Sequence, residues 1–458
     1  MTLFGTAGIR GPAISRVTPE LALAVGRAAG LDACTRDDVD PTFVVARDGR
    51  ETGSGLVAAL EAGLESAGVA VRRAGVLPTP ALAFASRGRR GVMVTASHNP
   101  PADNGLKLFH DGQEYDDDAE ARIEARVEDD AGPVAWDEWG TAERLSPLGA
   151  YHEAVVDYAE EYGTALDGLA VVVDCGNGMA SRATPQVLDE LGADVTTLNA
   201  NVDGSFPARG SKPTPATLGD IRAFLADGDA DLGFAHDGDA DRIVVLDGTG
   251  EIVHEDTVVA VLAERYTRAS DATDPVVVTT PNASSRIDDR VTAAGGRVER
   301  VRLGALHEGV AVARAAGTDD TRVVFAAEPW KHVHPGHGPW IDGVASAAVL
   351  ARLVAESGLD ALREPIQELP YRKVSVDCPD DRKGPVMEQL ATTLPDEFPD
   401  SEVSTEHGVR IERDDGWVLV RPSGTEPKVR IYAESERVDA LIDRTRQVIG
   451  TAIDRPNS

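Results

Sequence analysis

Asp237, Asp239 and Asp241 stand at alternate positions in Asp237-Gly238-Asp239-Ala240-Asp241-Arg242, directly after the apolar run Leu232-Gly233-Phe234-Ala235. The run reads as a buried strand. A loop leaving its end can turn three carboxylates toward one point, where like charges are costly unless a divalent cation neutralises them. Hard oxygen donors select Mg²⁺, Mn²⁺ or Ca²⁺ over zinc, and Mg²⁺ is the expected ion. An EF-hand is excluded, because it needs Gly at the sixth loop position and Glu at the twelfth, where this chain has Arg242 and Gly248. A solvated acidic turn explains a lone D-x-D equally well. Three such residues in register after a strand, closed by an Arg, favour the metal.

A second chemical constellation is Thr95-Ala96-Ser97-His98-Asn99-Pro100, which follows the apolar Gly91–Val94. Ser97 beside His98 is a candidate nucleophile, but Thr95 and Asn99 occupy the places where a G-x-S-x-G elbow needs glycines, so a hydrolase triad is unsupported. Lys107, in Asn104-Gly105-Leu106-Lys107, is notable because only six of the 45 basic residues are lysines. Near the carboxyl end, Arg421-Pro422-Ser423-Gly424-Thr425-Glu426-Pro427-Lys428 offers backbone N–H groups, two hydroxyls and cations at each end, which suits a phosphate. An ordinary hairpin turn would use the same Pro and Gly. Gly176-Asn177-Gly178 starts like a dinucleotide fingerprint, but Ser181 takes the third glycine's place and NAD is not supported.

These residues need a scaffold, and the chain shows a rhythm of short β-rich runs and Ala/Leu/Arg-rich helical stretches, as expected of mostly parallel α/β sheets. Three similar units recur: Phe43–Ala46 with Gly91–Val94, Leu169–Val173 with Leu232–Ala235, and Pro275–Thr279 with Arg322–Ala326. In each, the second run leads into the unusual loop, the third loop being Ala327-Glu328-Pro329-Trp330-Lys331-His332. Ligands of open α/β sheets bind beyond the carboxyl ends of strands, so the three loops should meet at a common cleft. A linker through Gly132-Pro133, Trp136 and Trp139 ends the first unit. From Tyr371 the pattern changes to a smaller α+β domain with Trp417–Val420 and Val429–Ala433 as strands. The expected domains are therefore 1–148, 149–250, 251–365 and 366–458.

Composition bounds the remaining classes. The chain of 458 residues is too long for one core, and its formal charge of −32 comes from 77 acidic against 45 basic residues. Such self-repulsion is tolerable where salt screens it, so the surface reads as an adaptation to high salt. No basic stripe exists to neutralise nucleic-acid phosphates. No apolar stretch approaches the length of a membrane span and no export signal is visible, so a cytoplasmic location is expected. Cys34, Cys175 and Cys378 are widely separated, and support neither a disulfide framework nor a zinc site.

Taken together, Phe4-Gly5-Thr6-Ala7-Gly8-Ile9-Arg10-Gly11, the Ser97 loop, the aspartate loop and the Arg421–Pro427 loop resemble the ordered motif set of the α-D-phosphohexomutases. That family includes phosphoglucomutase, phosphomannomutase and phosphoglucosamine mutase. The resemblance spans almost the whole chain. It implies three similar α/β domains plus a C-terminal α+β domain around a central cleft, and an enzyme that moves phosphate between O1 and O6 of a hexose through a phosphoserine and a hexose 1,6-bisphosphate. By the same resemblance Ser97 would carry the phosphate and would join Asp237, Asp239 and Asp241 as a ligand of one Mg²⁺ per chain. Arg10, His98 and Lys107 would manage charge and protons. Arg242, Glu328, His332, Arg421, Ser423, Gly424, Thr425 and Arg430 would bind the substrate. Small sugar phosphates are the implied partners, with the chain a monomer or dimer.

One loop departs from the family pattern. Gly-Glu-x-Ser-Gly-His is usual there, whereas this chain keeps Glu328 and His332 but replaces the Ser and Gly by Trp330 and Lys331. Trp330 could stack on a sugar face or simply pack. Other readings are a haloacid-dehalogenase-like phosphatase, with Asp237 as nucleophile, and a non-catalytic sugar-phosphate-binding protein; the first explains neither Ser97 nor the C-terminal loop.

Overall fold

The computed structural model describes residues 3–5, 8–36, 38–424 and 426–454. Four sheets follow one another along the chain. The first three share one strand order. In the first, Phe43–Arg47 lies at the centre, with Val71–Val76 parallel on one side and Arg90–Val94 parallel on the other, and Asp103–His110 returns antiparallel beside Arg90–Val94. Ala170–Asp174, Asp194–Leu198, Leu232–His236 and Ile243–Asp247 repeat that arrangement, and so do Asp274–Thr279, Arg297–Arg300, Thr321–Glu328 and Lys331–Val333. The fourth sheet is antiparallel throughout, with Tyr371–Asp377, Lys428–Ser435, Gly416–Pro422, Val409–Arg413 and Glu402–Ser404 side by side.

The runs read from sequence as strands are strands here. Each repeated unit nevertheless has these four strands where two were expected, and the first sheet adds three more to reach seven. Two of the strands not read from sequence carry no buried position, Asp194–Leu198 and Arg297–Arg300, whereas Asp103–His110 and Ile243–Asp247 are largely buried and were passed over although apolar residues run through them. An apolar run forms only where both faces of the sheet are covered. Each sheet is accordingly a parallel centre with an antiparallel edge.

One continuous apolar cluster runs through the first three units, from Val44 to Ile366, while the C-terminal sheet has a separate core built on Val418, Ile431 and Leu390. The helix Leu148–Glu160, just beyond the linker, is tied to the third unit by Tyr151, whose hydroxyl donates to Asp342 at 2.9 Å. Asp342 in turn caps the buried helix Gly343–Ser357 by accepting from the N–H groups of Val344 and Ala345. Among the described residues no helix is long and apolar enough to cross a membrane.

Candidate active site

Ser97 follows strand Arg90–Val94 in a left-handed backbone conformation, φ 50°, which a non-glycine residue adopts only when its surroundings enforce it. The enforcement is visible. Arg50, fully buried, donates to the carbonyls of Ser97 and Asn99 at 2.8 Å, Pro100 at 2.6 Å and Asp103 at 2.9 Å, while its Nε meets Asp48 at 3.0 Å. Thr95 links Asp48 to the Ser97 N–H, donating to the first at 2.7 Å and accepting from the second at 2.9 Å. The loop is thus held before any ligand arrives.

The aspartate loop meets it head on. Ser97 Oγ donates to Asp237 at 2.7 Å, and Gly238 is required there because a Cβ would lie 2.7 Å from the Ser97 carbonyl oxygen. Asp239 accepts from Thr79 Oγ1 at 2.7 Å and Asp241 from Lys107 Nζ at 2.7 Å. Oxygens of the three aspartates lie within 4.8 Å of one another, all buried, and Oδ1 of both Asp239 and Asp241 has no hydrogen-bond partner among the described residues. Burial, then the charges of Asp241 and Asp239, push the Asp237 carboxyl well above the usual range. Crowded carboxylates with orphaned oxygens are what a hard divalent cation satisfies, so the donor set fits a metal.

Cations surround this centre. Burial opposes the Lys107 charge, but Asp241 and Asp239 outweigh it and raise its pKa above the ordinary lysine range. Arg10 stands opposite Gly105 in the pairing of Ile9–Pro12 with Asp103–His110, which puts it on the sheet face that Lys107 shares. Its Nε is buried and unpartnered among the described residues. Arg242 Nε lies 3.7 Å from both Asp237 and Asp241. His98 Nδ1 is 3.3 Å from Ser97 Oγ; burial and then Arg242 and Arg10 push its pKa down to about 3, leaving a neutral ring.

A cleft of about 580 Å³ opens beside this cluster, bounded by Glu114, His307, Glu328, Lys331, Arg421 and Arg430. Glu114 is 3.7 Å from Lys107, which connects cleft and acidic centre. Arg421 and Arg430 are directly opposed on neighbouring strands, an unfavourable pairing of like charges in the absence of an anion. Arg430 is partly compensated by Glu426 at 2.8 Å; Arg421 has a buried nitrogen with no partner among the described residues. Ser423 N–H donates to the Lys428 carbonyl, Gly424 lines the cleft, and Thr425 lies outside the described residues, as do Thr6 and Ala7.

The third loop behaves differently from expectation. Glu328 faces the cleft, its Oε1 accepting from Gly304 N–H at 2.5 Å and its Oε2 3.4 Å from Lys331. Trp330, for which stacking on a sugar and packing were both open, packs on the apolar cluster around Val172, Leu218 and Ile221. His332, expected at the sugar, is buried, with Nδ1 2.9 Å from Ser346 Oγ, in the core of the third unit. Its alternation with Lys331 along the strand explains this, since neighbouring residues point to opposite faces. Sequence reasoning assigned no role to Arg50, Thr79 or His307. Arg50 had a faint signal, a charged turn at the carboxyl end of a strand; Thr79 and His307 had none.

The fold and this centre define a class: a multidomain phosphate-handling enzyme with a clamped serine, an acidic metal-type triad and a dibasic anion site. Residues 1–132, 150–250 and 374–449 match, respectively, the α/β/α domain I, the α/β/α domain II and the C-terminal domain of phosphoglucomutase/phosphomannomutase. The chain is 39% identical to a phosphopentomutase of Thermococcus kodakarensis over 99% of each chain, and 40% identical to a probable phosphoglucosamine mutase of Methanopyrus kandleri over 94% of each. Its fold superposes with a TM-score of 0.86 on a phosphoglucomutase/phosphomannomutase family protein of Burkholderia thailandensis, at 27% identity, covering 100% of this chain and 98% of the other. The chain belongs to the phosphoglucomutase/phosphomannomutase family, the α-D-phosphohexomutases, and is a mutase, an isomerase that transfers phosphate within its substrate.

Proposed function

We propose that Ser97 is the phosphate carrier and that the reaction interconverts hexose 1-phosphate and hexose 6-phosphate through a hexose 1,6-bisphosphate. Glucosamine phosphate is the alternative substrate, favoured by the relatives named for it. The observation that carries the reading is Ser97 Oγ at 2.7 Å from Asp237, inside the aspartate triad and next to a cleft that carries Arg421 and Arg430. Asp237, Asp239 and Asp241 would hold Mg²⁺, which when bound neutralises charge on the transferring phosphoryl oxygens.

In the first half reaction the P–Oγ bond of phospho-Ser97 breaks as the free sugar hydroxyl oxygen bonds to phosphorus, and the hydroxyl proton passes by way of the neutral His98 ring to the released Ser97 Oγ. Lys107, Arg10 and Arg242 offset the negative charge that moves with the phosphoryl group. In the second, the other sugar O–P bond of the bisphosphate breaks as Ser97 Oγ bonds to that phosphorus, and the Ser97 proton passes through the neutral ring of His98 to the sugar oxygen released. Arg421, Ser423, Gly424, Thr425 and Arg430 clamp whichever phosphate is not reacting, and Glu328 accepts from sugar hydroxyls. Preorganised positioning of this kind is most of what phosphoryl transfer demands of a protein.

The test is a mutase assay on glucose, mannose, glucosamine and ribose 1-phosphates in molar KCl, with a trace of the bisphosphate, alongside intact-mass analysis. Turnover should require Mg²⁺, and a phosphorylated fraction should vanish in Ser97→Ala together with activity, since covalent catalysis does not survive loss of its nucleophile. Near-normal turnover by Ser97→Ala overturns the reading. Net phosphate release with an aspartyl-phosphate at Asp237 would replace it by the phosphatase.

A further inference from the structure

The third loop sets a cation and a carboxylate side by side in the cleft. Glu328 and Lys331 face each other across the two-residue turn Pro329-Trp330, as the closing pair of the hairpin formed by Thr321–Glu328 and Lys331–Val333. Opposed residues project from one face of a sheet and neighbours alternate, so both side chains leave toward the cleft while His332 leaves toward Ser346. The hairpin is also stitched to the aspartate loop. Ile243 N–H donates to the Trp330 carbonyl at 3.2 Å, and Arg242 pairs with Lys331 in an antiparallel bridge. Backbone bonds thus fix where the Lys331 stem starts.

The pair is a donor and an acceptor at close spacing. Lys331 Nζ lies 3.4 Å from Glu328 Oε2, the two side chains being 19% and 12% exposed, and Glu328 Oε1 accepts from Gly304 N–H. An ammonium only donates and a carboxylate only accepts, whereas a hydroxyl does both. Two adjacent sugar hydroxyls therefore answer the pair, one accepting from Lys331 and the other donating to Glu328. Between the two phosphates a hexose offers O2, O3 and O4, and reversing the sugar exchanges O2 with O4 about O3. A reader two hydroxyls wide serves both directions. A protonated amine in place of the O2 hydroxyl breaks the match, because it has no lone pair for Lys331, repels its charge, and finds Glu328 already neutralised.

Resting on the mutase reading above, we propose that Lys331 is a specificity-determining residue that restricts this enzyme to neutral sugar phosphates and turns away 2-amino sugars. The discrimination comes from an unfavourable contact with the wrong substrate rather than a better one with the right substrate. Carboxylates elsewhere in the cleft do not cancel it. Of those from the first unit, Glu114 is matched by Lys107 at 3.7 Å and Asp117 by Arg302 at 2.9 Å. Burial, then the charges of Asp117 and Glu114, push Glu120 up to about 8, so it carries little charge at neutral pH.

The test compares kcat/KM for glucose, mannose, ribose and glucosamine 1-phosphates in molar KCl with Mg²⁺ and a trace of bisphosphate. Calorimetry on Ser97→Ala, which cannot transfer, gives the affinities for glucose and glucosamine 6-phosphates. The best wild-type substrate should be a neutral sugar. Lys331→Met, which keeps the stem and removes the charge, should raise the glucosamine-to-glucose ratio about tenfold in both measurements, or about 1.4 kcal/mol. Lys331→Arg should keep the wild-type ratio, because charge is what rejects the amine. If Lys331→Met lowers every sugar equally and leaves the ratio unchanged, the proposal is overturned. A wild-type preference for glucosamine phosphate overturns it too, and hands the reading of the sugar to Glu114 and Glu120. Failure to turn over or bind any of these sugar phosphates refutes the mutase reading itself, and the proposal falls with it.

Discussion

Replacing Arg50 by Lys keeps a buried positive charge beside Asp48 and removes the fork. Arg50 serves five acceptors, the Asp48 carboxylate and the carbonyls of Ser97, Asn99, Pro100 and Asp103. A single ammonium has three protons, so at least two of those acceptors lose their partner. Each buried acceptor left unsatisfied costs about 1–3 kcal/mol, so Arg50→Lys should destabilise by about 2–6 kcal/mol. The loop should give way before the fold does, because all four carbonyls belong to the segment that holds Ser97 in its left-handed conformation, itself a strain of about 1–3 kcal/mol. Once released, Ser97 Oγ has no reason to stay at Asp237, and a misplacement near 1 Å costs roughly 10²-fold in rate. Urea unfolding in molar KCl measures the first effect, and guanidinium salts are to be avoided because they change the screening. Single-turnover transfer from phosphorylated enzyme measures the second. A variant with wild-type unfolding and wild-type transfer would refute the assignment of Arg50 as the clamp.

Arg421→Ala should raise KM for every sugar phosphate alike, since it removes a charge-assisted contact worth about 2–3 kcal/mol, roughly 30- to 150-fold, with a group common to all of them; steady-state kinetics on two different sugars checks it. Lys331→Gly should change the kcat/KM ratios between sugars, because Lys331 lines the cleft, whereas Trp330→Ser should lower stability and leave the ratios alone, because its indole packs on the second unit. His332 and His334 are pushed by burial to about 3 and about 4, against about 6.5 in an unfolded chain. The unfolded state therefore binds protons that the native state refuses, so this stability is complete above pH ~6.5 and declines as pH falls toward 4, by up to about 1.4 kcal/mol per unit for each ring. His334→Gln should make that slope shallower by about one proton; an unchanged slope between pH 6.5 and 4.5 would show that the ring already titrates normally.

How much the sequence disclosed follows burial and charge. Strands covered on both faces, such as Leu232–His236, announced themselves as apolar runs, and Asp237, Asp239, Asp241 and Ser97 announced themselves as polar residues at the ends of such runs. The partly exposed strands Asp194–Leu198 and Arg297–Arg300 carry no such pattern and were invisible. Arg50 and Thr79 act through contacts with residues far along the chain, Thr79 with Asp239 and Arg50 with the Ser97 loop, and no local spacing encodes a partner that tertiary folding supplies. His332 misled for the converse reason: a motif position fixes the residue's place on a strand, but the face it presents depends on which neighbour the strand pairs with. Here the hairpin turns Lys331 to the cleft and His332 to Ser346. Its tautomer follows from that network, because Tyr266 donates to His334 Nδ1, the other His334 nitrogen donates to Ser346, and Ser346 donates to the Asp342 carbonyl, leaving His332 Nδ1–H to donate to the same hydroxyl.

If Ser97 is the phosphate carrier, as proposed, the charge balance around it makes phosphorylation and metal binding depend on each other. Three buried aspartates face Lys107 and Arg242, which leaves a negative excess, and the raised pKa of Asp237 is where that excess is felt. Adding a phosphoryl group to Ser97 brings about two further negative charges into the same buried space. Arg10 and the neutral His98 cannot offset them alone, so the phosphorylated form should rely on a divalent cation far more than the hydroxyl form does. Chelation should therefore lower the melting temperature of phosphorylated enzyme by several degrees more than that of Ser97→Ala, measured side by side in molar KCl so that surface repulsion is screened equally in both. Equal losses would mean that the triad's metal serves the fold alone, and that the phosphoserine is balanced by arginine and lysine without it.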